Sequence, residues 1–162
     1  MKKIHNIIVS VLALTALLSC ETDYGEFNRD NRPEIPLQFT NTTSFGHDPY
    51  IEVAEGEEIR FEMQIPENSG RTIREITRVA AGLTGLNPGA LTTAGDYITE
   101  PIPGDGNRVT FTTTLEEFRE KRPAAEVEVP DEGYTEIAFF FLVTLDNGDT
   151  IVSMRARARI SE

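Results

Sequence analysis

Asp146-Asn147-Gly148-Asp149 separates two long alternating runs, Tyr134 to Leu145 and Thr150 to Ile160, and constrains the fold more than any other stretch. Asn-Gly at the centre of a turn is the strongest short-range hairpin signal, because both residues accept the positive φ of a type I′ turn. With Asn147 and Gly148 as the two loop residues, the register of the whole hairpin follows. Ile137, Phe139, Phe141 and Val143 then share a face with Ala158, Ala156, Met154 and Val152, and this apolar face is expected in the core. The opposite face pairs Glu136 with Arg159, Ala138 with Arg157, Phe140 with Arg155 and Leu142 with Ser153.

The rest of the chain is read outward from that hairpin. Ile35, Leu37 and Phe39 alternate with polar neighbours, Ile51 and Val53 begin a short strand, and Ile59, Phe61, Met63 and Ile65 give a clean inward stripe. Ile73, Ile76 and Val79 have a spacing that also suits a helix; β-branched residues between turn-rich segments favour a strand. Gly82 to Gly95 is a long glycine-rich loop whose Leu83, Leu86 and Leu91 are expected against the core. Tyr97 to Ile102 reads as an edge strand and Val109 to Thr113 as a further strand. Thr114-Leu115-Glu116-Glu117 matches a capping box and predicts a helix over 115–121. Many short strands with turns about every ten residues indicate an all-β fold, an antiparallel immunoglobulin-like β-sandwich with one short helix.

Charge narrows the partners. The 15 Lys and Arg residues, less Lys2 and Lys3 of the leader described next, leave 13 against 27 Asp and Glu, a net charge of −14. That balance argues against nucleic acid and anionic lipid as partners. Cys20 is the only cysteine, so the chain has no disulfide framework and no paired-cysteine metal site.

Met1 to Cys20 has two lysines, a twelve-residue apolar run from Ile7 to Leu18 that is too short to span a bilayer, and Leu17-Leu18-Ser19-Cys20 at its end. That ending resembles a bacterial lipobox, in which the cysteine is lipidated on its thiol and becomes the new N-terminus. The resemblance implies a signal peptide over 1–19, lipid attachment at Cys20 and location at the outer membrane. Residues 20–36 read as an acidic flexible tether with a reach of roughly 20 to 25 Å, and residues 37–162 as the domain. Glu21, Asp23 and Glu26 after the cysteine resemble the export signal of surface lipoproteins in the Bacteroidota, which implies the cell surface; a solvated linker explains them equally well. Leader, acidic linker and one sandwich ending in a glycine-turned hairpin with Arg-X-Arg resemble the small Ig-like lipoproteins of Bacteroidota glycan-uptake loci. This resemblance implies location and fold, and no ligand.

Candidate sites fall in three groups. Arg155, Arg157 and Arg159 form a period-two ladder suited to a carboxylate or an acidic partner surface, or to cross-strand partners on a solvated face. Phe140 and Leu142 on the same face need a cover, either the 115–121 helix, the long loop or a partner protein. Tyr50, Tyr97 and Tyr134 lie at predicted strand ends and would line a glycan platform, or anchor the corners of the domain. His47, the single histidine after the leader, reads as a loop residue rather than a metal or acid–base group. Asp105, Asp146 and Asp149 sit in glycine turns where calcium binds in some proteins, and where aspartate more often serves backbone geometry. No catalytic residue, metal or cofactor is expected, because a hydroxyl nucleophile has only His47 as an imidazole base.

Three functional readings follow. The first is a non-enzymatic, lipid-anchored accessory subunit that binds a protein partner in an outer-membrane assembly for nutrient uptake. The second is a direct glycan-binding lipoprotein, and the third a spacer without a specific ligand.

Overall fold

The computed structural model describes residues 33–45, 48–93 and 96–162. The leader, Cys20 and the tether up to residue 32, together with His47, lie outside the described residues. Pro33–Glu162 forms one compact unit.

The described residues are mostly β-strand, with few and short helices. The strands are β1 Gln38–Phe39, β2 Thr43–Phe45, β3 Asp48–Ala54, β4 Ile59–Gln64, β5 Ile73–Gly82, β6 Ile102–Pro103, β7 Arg108–Thr113, β8 Thr135–Leu145, β9 Thr150–Val152 and β10 Ala156–Ser161. Two helices, α1 Ala90–Thr93 and α2 Leu115–Lys121, interrupt them. One sheet has the order β1-β4-β7; the other runs β2-β3-β10-β8-β5-β6, with β9 also paired to β8. All pairings are antiparallel except β3 with β10, which is parallel.

The two sheets share one core. Phe61 and Phe111 from the smaller sheet meet Phe139 and Phe141 of β8 with ring centroids 5.1 to 6.0 Å apart, and all four side chains are buried. Burying each such ring contributes about 2 to 3 kcal/mol, several times the contribution of an exposed ion pair. The alternation of Ile59, Phe61 and Met63 on β4 is reproduced as buried against outward Arg60 and Glu62. Ile35 and Leu37, ahead of β1, also pack against this core.

β5 explains its own misleading spacing. Its pairing with β8 shifts register between Ile73 and Glu75 and again between Ile76 and Arg78. Each shift inserts one extra residue, so Ile73, Ile76 and Val79 face inward opposite Leu145, Val143 and Phe141. A strand with two bulges thus mimics a period near three. Helix α2 occupies the predicted residues: Thr114 caps it by accepting a hydrogen bond from the Glu117 backbone N–H at 3.1 Å, and Leu115 and Phe118 are buried.

The terminal hairpin departs from its predicted register over half its length. Asn147 does not take a positive φ, whereas Gly148 does at 91°. The Gly148 N–H donates to Leu145 O at 3.0 Å, so the chain turns as type I followed by a left-handed glycine, a three-residue loop. Leu142, Val143 and Thr144 therefore face Val152, Ile151 and Thr150. One extra residue between Val152 and Ala156 restores the predicted register, so Phe139 faces Ala156, Ala138 faces Arg157 and Glu136 faces Arg159. Ser153 holds this bulge, accepting from Phe141 N–H at 2.9 Å through its hydroxyl while its own N–H donates to Phe141 O. As a result Ile151 and Ser153 are buried, whereas Val152 and Met154, expected in the core, are 47% and 56% exposed.

Candidate functional site

The residues that carry a surface are outward positions of β3, β10 and β8. Ala156, Ala158 and Ile160 of β10 point into the core, so Arg157 and Arg159 must point out. The parallel pairing sets Tyr50 beside Arg157 and Glu52 beside Arg159, and the antiparallel pairing sets Glu136 beside Arg159. Arg155, in the bulge just before β10, reaches the same face.

These groups form an alternating row of charges. Arg155 donates to Asp48 Oδ2 from Nε at 2.7 Å and from Nη2 at 2.5 Å, and Nη1 to the carbonyls of Thr84 and Leu86. Arg157 donates from Nη1 to both oxygens of Glu136 at 3.1 and 3.4 Å, and from Nη2 to the Asp48 carbonyl. Arg159 donates from Nε to Glu136 Oε1 at 2.8 Å, with Glu52 at 4.0 Å from Nη1. The row Arg155, Asp48, Arg157, Glu136, Arg159, Glu52 sums to zero charge. Each cation of the ladder has a carboxylate on a neighbouring strand; the cross-strand alternative expected only Glu136 on Arg159, with Phe140 rather than Asp48 against Arg155.

Arg159 lies between two aromatic rings. Its Cζ is 3.8 Å from the Tyr50 ring centroid and 4.8 Å from that of Tyr134, which is 51% exposed. Such contacts are worth roughly 0.5 to 1 kcal/mol each at exposed sites. The hydrogen bond Arg159 donates to Glu136, ahead of the smaller influence of the tyrosines, raises the Arg159 pKa still further, so the guanidinium stays charged. Arg157 stacks more loosely on Tyr50 at 5.9 Å.

Two expectations for this face need correction. Phe140 is only 7% exposed, because it packs with Ala80 and Leu91, and Leu86, Ala90 and Leu142 close the same cluster. The long loop and α1 supply the cover, so Phe140 is not a contact residue, and Leu142 is partly buried with it. Leu83 takes no part and is 44% exposed. Tyr97 is not on the rim: it is 2% exposed, in contact with Phe111, Phe118 and Phe139. Its hydroxyl bonds Thr113 Oγ1 at 2.6 Å, and Thr113 donates to Glu117, which Lys121 also engages. Burial pushes the Tyr97 pKa up to about 12, and the Lys121 hydrogen bond holds the Glu117 carboxyl below its ordinary value.

Of the three tyrosines proposed together, only Tyr50 and Tyr134 converge, and they do so on Arg159. Asp48 and Glu52 were missed as part of the site. Their signal was present: Asp48, Tyr50 and Glu52 alternate with Pro49, Ile51 and Val53, which places three polar groups on one side of a strand. Asp146 and Asp149 serve their turn, Asp146 Oδ1 accepting from the Asn147 N–H and Asp149 Oδ2 from the Asn147 amide. No protein-family model matches the chain, and no curated protein matches it in sequence.

Proposed function

We propose that this is a non-enzymatic lipoprotein of the outer membrane, anchored through Cys20, whose immunoglobulin-like domain is a binding subunit of a surface or nutrient-uptake assembly. The observation that carries this reading is the Tyr50–Arg159–Tyr134 stack on the outward face of β3, β10 and β8. Tyr and Arg are the residues most enriched at the energetic centres of protein interfaces, and a pre-stacked guanidinium loses little side-chain freedom on docking. The charges beneath it are already matched, so the partner need not be strongly cationic or anionic at this point. Anchoring through Cys20 supports the same reading, since a short tether raises the effective concentration of any partner in the same membrane.

A glycan ligand remains the second reading, favoured by the half-exposed Tyr134 ring, which offers a flat face to a sugar next to Arg159. The two are separated with the full chain. Co-purification from outer membranes recovers a partner with the wild type and loses it with Tyr134→Ala under the first reading, with no polysaccharide binding that depends on Tyr134. Saturable binding to a polysaccharide, lost in Tyr134→Ala, selects the second reading. Identical recovery by wild type and variant, with no polysaccharide binding lost in Tyr134→Ala, overturns both.

A further inference from the structure

A second surface feature lies at the loop end of the sheets, away from the tyrosine stack in sequence and in its residues. Glu34, Ile35 and Pro36, the loop Pro66 to Arg71, and the β8–β9 turn at Asn147 and Asp149 enclose a cleft of about 410 Å³. That volume falls in the range of small-molecule sites, about 300 to 1,000 Å³.

Its walls are held in place before any ligand arrives. Gly70 at φ 68° ends the tight turn Glu67–Ser69, and Gly148 at φ 91° closes the opposite turn. The Asp146 N–H donates to Thr72 O at 3.0 Å, which ties the two loops together next to Arg71. The Arg71 N–H donates to Ser69 Oγ at 3.3 Å.

The chemistry of the lining is specific. Arg60, Arg74, Arg78 and Arg119 each find a carboxylate within 4 Å. The Arg71 guanidinium, like that of Arg108 elsewhere on the surface, makes no ion pair or side-chain hydrogen bond among the described residues, although Glu34 and Asp149 line the same cleft. The Asn68 amide likewise has no side-chain partner among the described residues, and Asp149 uses only Oδ2 toward Asn147. One open guanidinium calls for an anion of carboxylate shape, since its fork of donors matches two oxygens. Beside it, a free amide, a hydroxyl and a carboxylate offer mixed donors and acceptors, the complement of neighbouring hydroxyl groups. Pro36 and Pro66 supply apolar wall for a C–H face.

We infer that this cleft binds a sugar acid, with its carboxylate on Arg71 and its hydroxyls on Asn68, Ser69 and Asp149. The site is independent of the tyrosine stack. The test is saturation-transfer NMR on the full chain with D-glucuronate, D-glucose and acetate as probes. Glucuronate saturates the site, while glucose and acetate each bind at least about tenfold more weakly, as loss of one charge-assisted contact or of the hydroxyl contacts requires. Arg71→Gln, an exposed substitution with an unchanged melting temperature, weakens glucuronate by the same factor. Tyr134→Ala leaves it unchanged. Equal binding of glucose and glucuronate, full retention in Arg71→Gln, loss in Tyr134→Ala, or no saturation by roughly 10 mM glucuronate each overturns the assignment.

Discussion

Replacing Glu136 with Gln probes whether the arginine ladder belongs to the fold or to the solvent. Glu136 accepts from Arg157 Nη1 at 3.1 and 3.4 Å and from Arg159 Nε at 2.8 Å, and its side chain is 16% exposed. The amide keeps one acceptor and loses the charge. Breaking a fully buried pair costs about 3 to 5 kcal/mol because the remaining charge is stranded. Arg157 is also 16% exposed and its Nε is already buried without a hydrogen bond, so its guanidinium has little water to fall back on. Partial solvation and the retained Asp48 contact at 3.8 Å reduce the cost to about 2 to 3 kcal/mol. With a urea m-value of roughly 1.5 kcal/mol/M, the unfolding midpoint drops by about 1.3 to 2 M. Glu52→Gln is the matched control: Glu52 is 72% exposed and 4.0 Å from Arg159, so it changes stability by no more than about 0.5 kcal/mol. Equal midpoints for the two variants would make the ladder a solvated face, with no partly buried ion pairs in it.

The remaining predictions address the core and the hairpin. Tyr97 is raised by burial from 10.0 to about 12, so its contribution to stability is complete below pH 10 and is lost as pH rises toward 12. Denaturation curves of wild type and Tyr97→Phe should converge by about 3 kcal/mol across that window, and parallel curves contradict the burial argument. In the hairpin, Met154→Lys is expected within about 0.5 kcal/mol of wild type, whereas Ile151→Ala costs about 2 to 4 kcal/mol; the opposite order reinstates an unbulged strand. Gly148→Ala costs about 1 kcal/mol or more in thermal melts because an alanine there must hold φ at 91°.

The legible parts of the fold were those in which one local signal decides the structure. The stripe of Ile59, Phe61 and Met63 and the Thr114 capping box name their own elements, and both formed where they were read. Asn-Gly announced a hairpin, yet two turn types with loops of different length share that dipeptide, and Asn147 without a positive φ selected the longer. The compensating bulge at Ser153 depends on a hydroxyl bonding across the sheet to Phe141, a tertiary contact with no local pattern. Tyr97 is the same kind of case: whether a loop tyrosine lines a rim or fills a core depends on Thr113 and Phe118, from β7 and α2. In the candidate site, alternation alone placed Arg157, Arg159 and Glu136 on one face. Adding Asp48, Tyr50 and Glu52 required knowing that β3 runs parallel beside β10. Parallel neighbours are joined through distant chain, and no turn residue marks them.

Whether the tyrosine stack proposed as the docking point meets a partner protein is tested by an aromatic photo-activatable side chain, which keeps the ring, at position 134 of the full chain in intact cells. A discrete cross-linked species is expected from position 134, absent when the same group replaces Val152, which is nearly as exposed but lies away from Arg159. The same species from both positions, or none from position 134, contradicts this docking point.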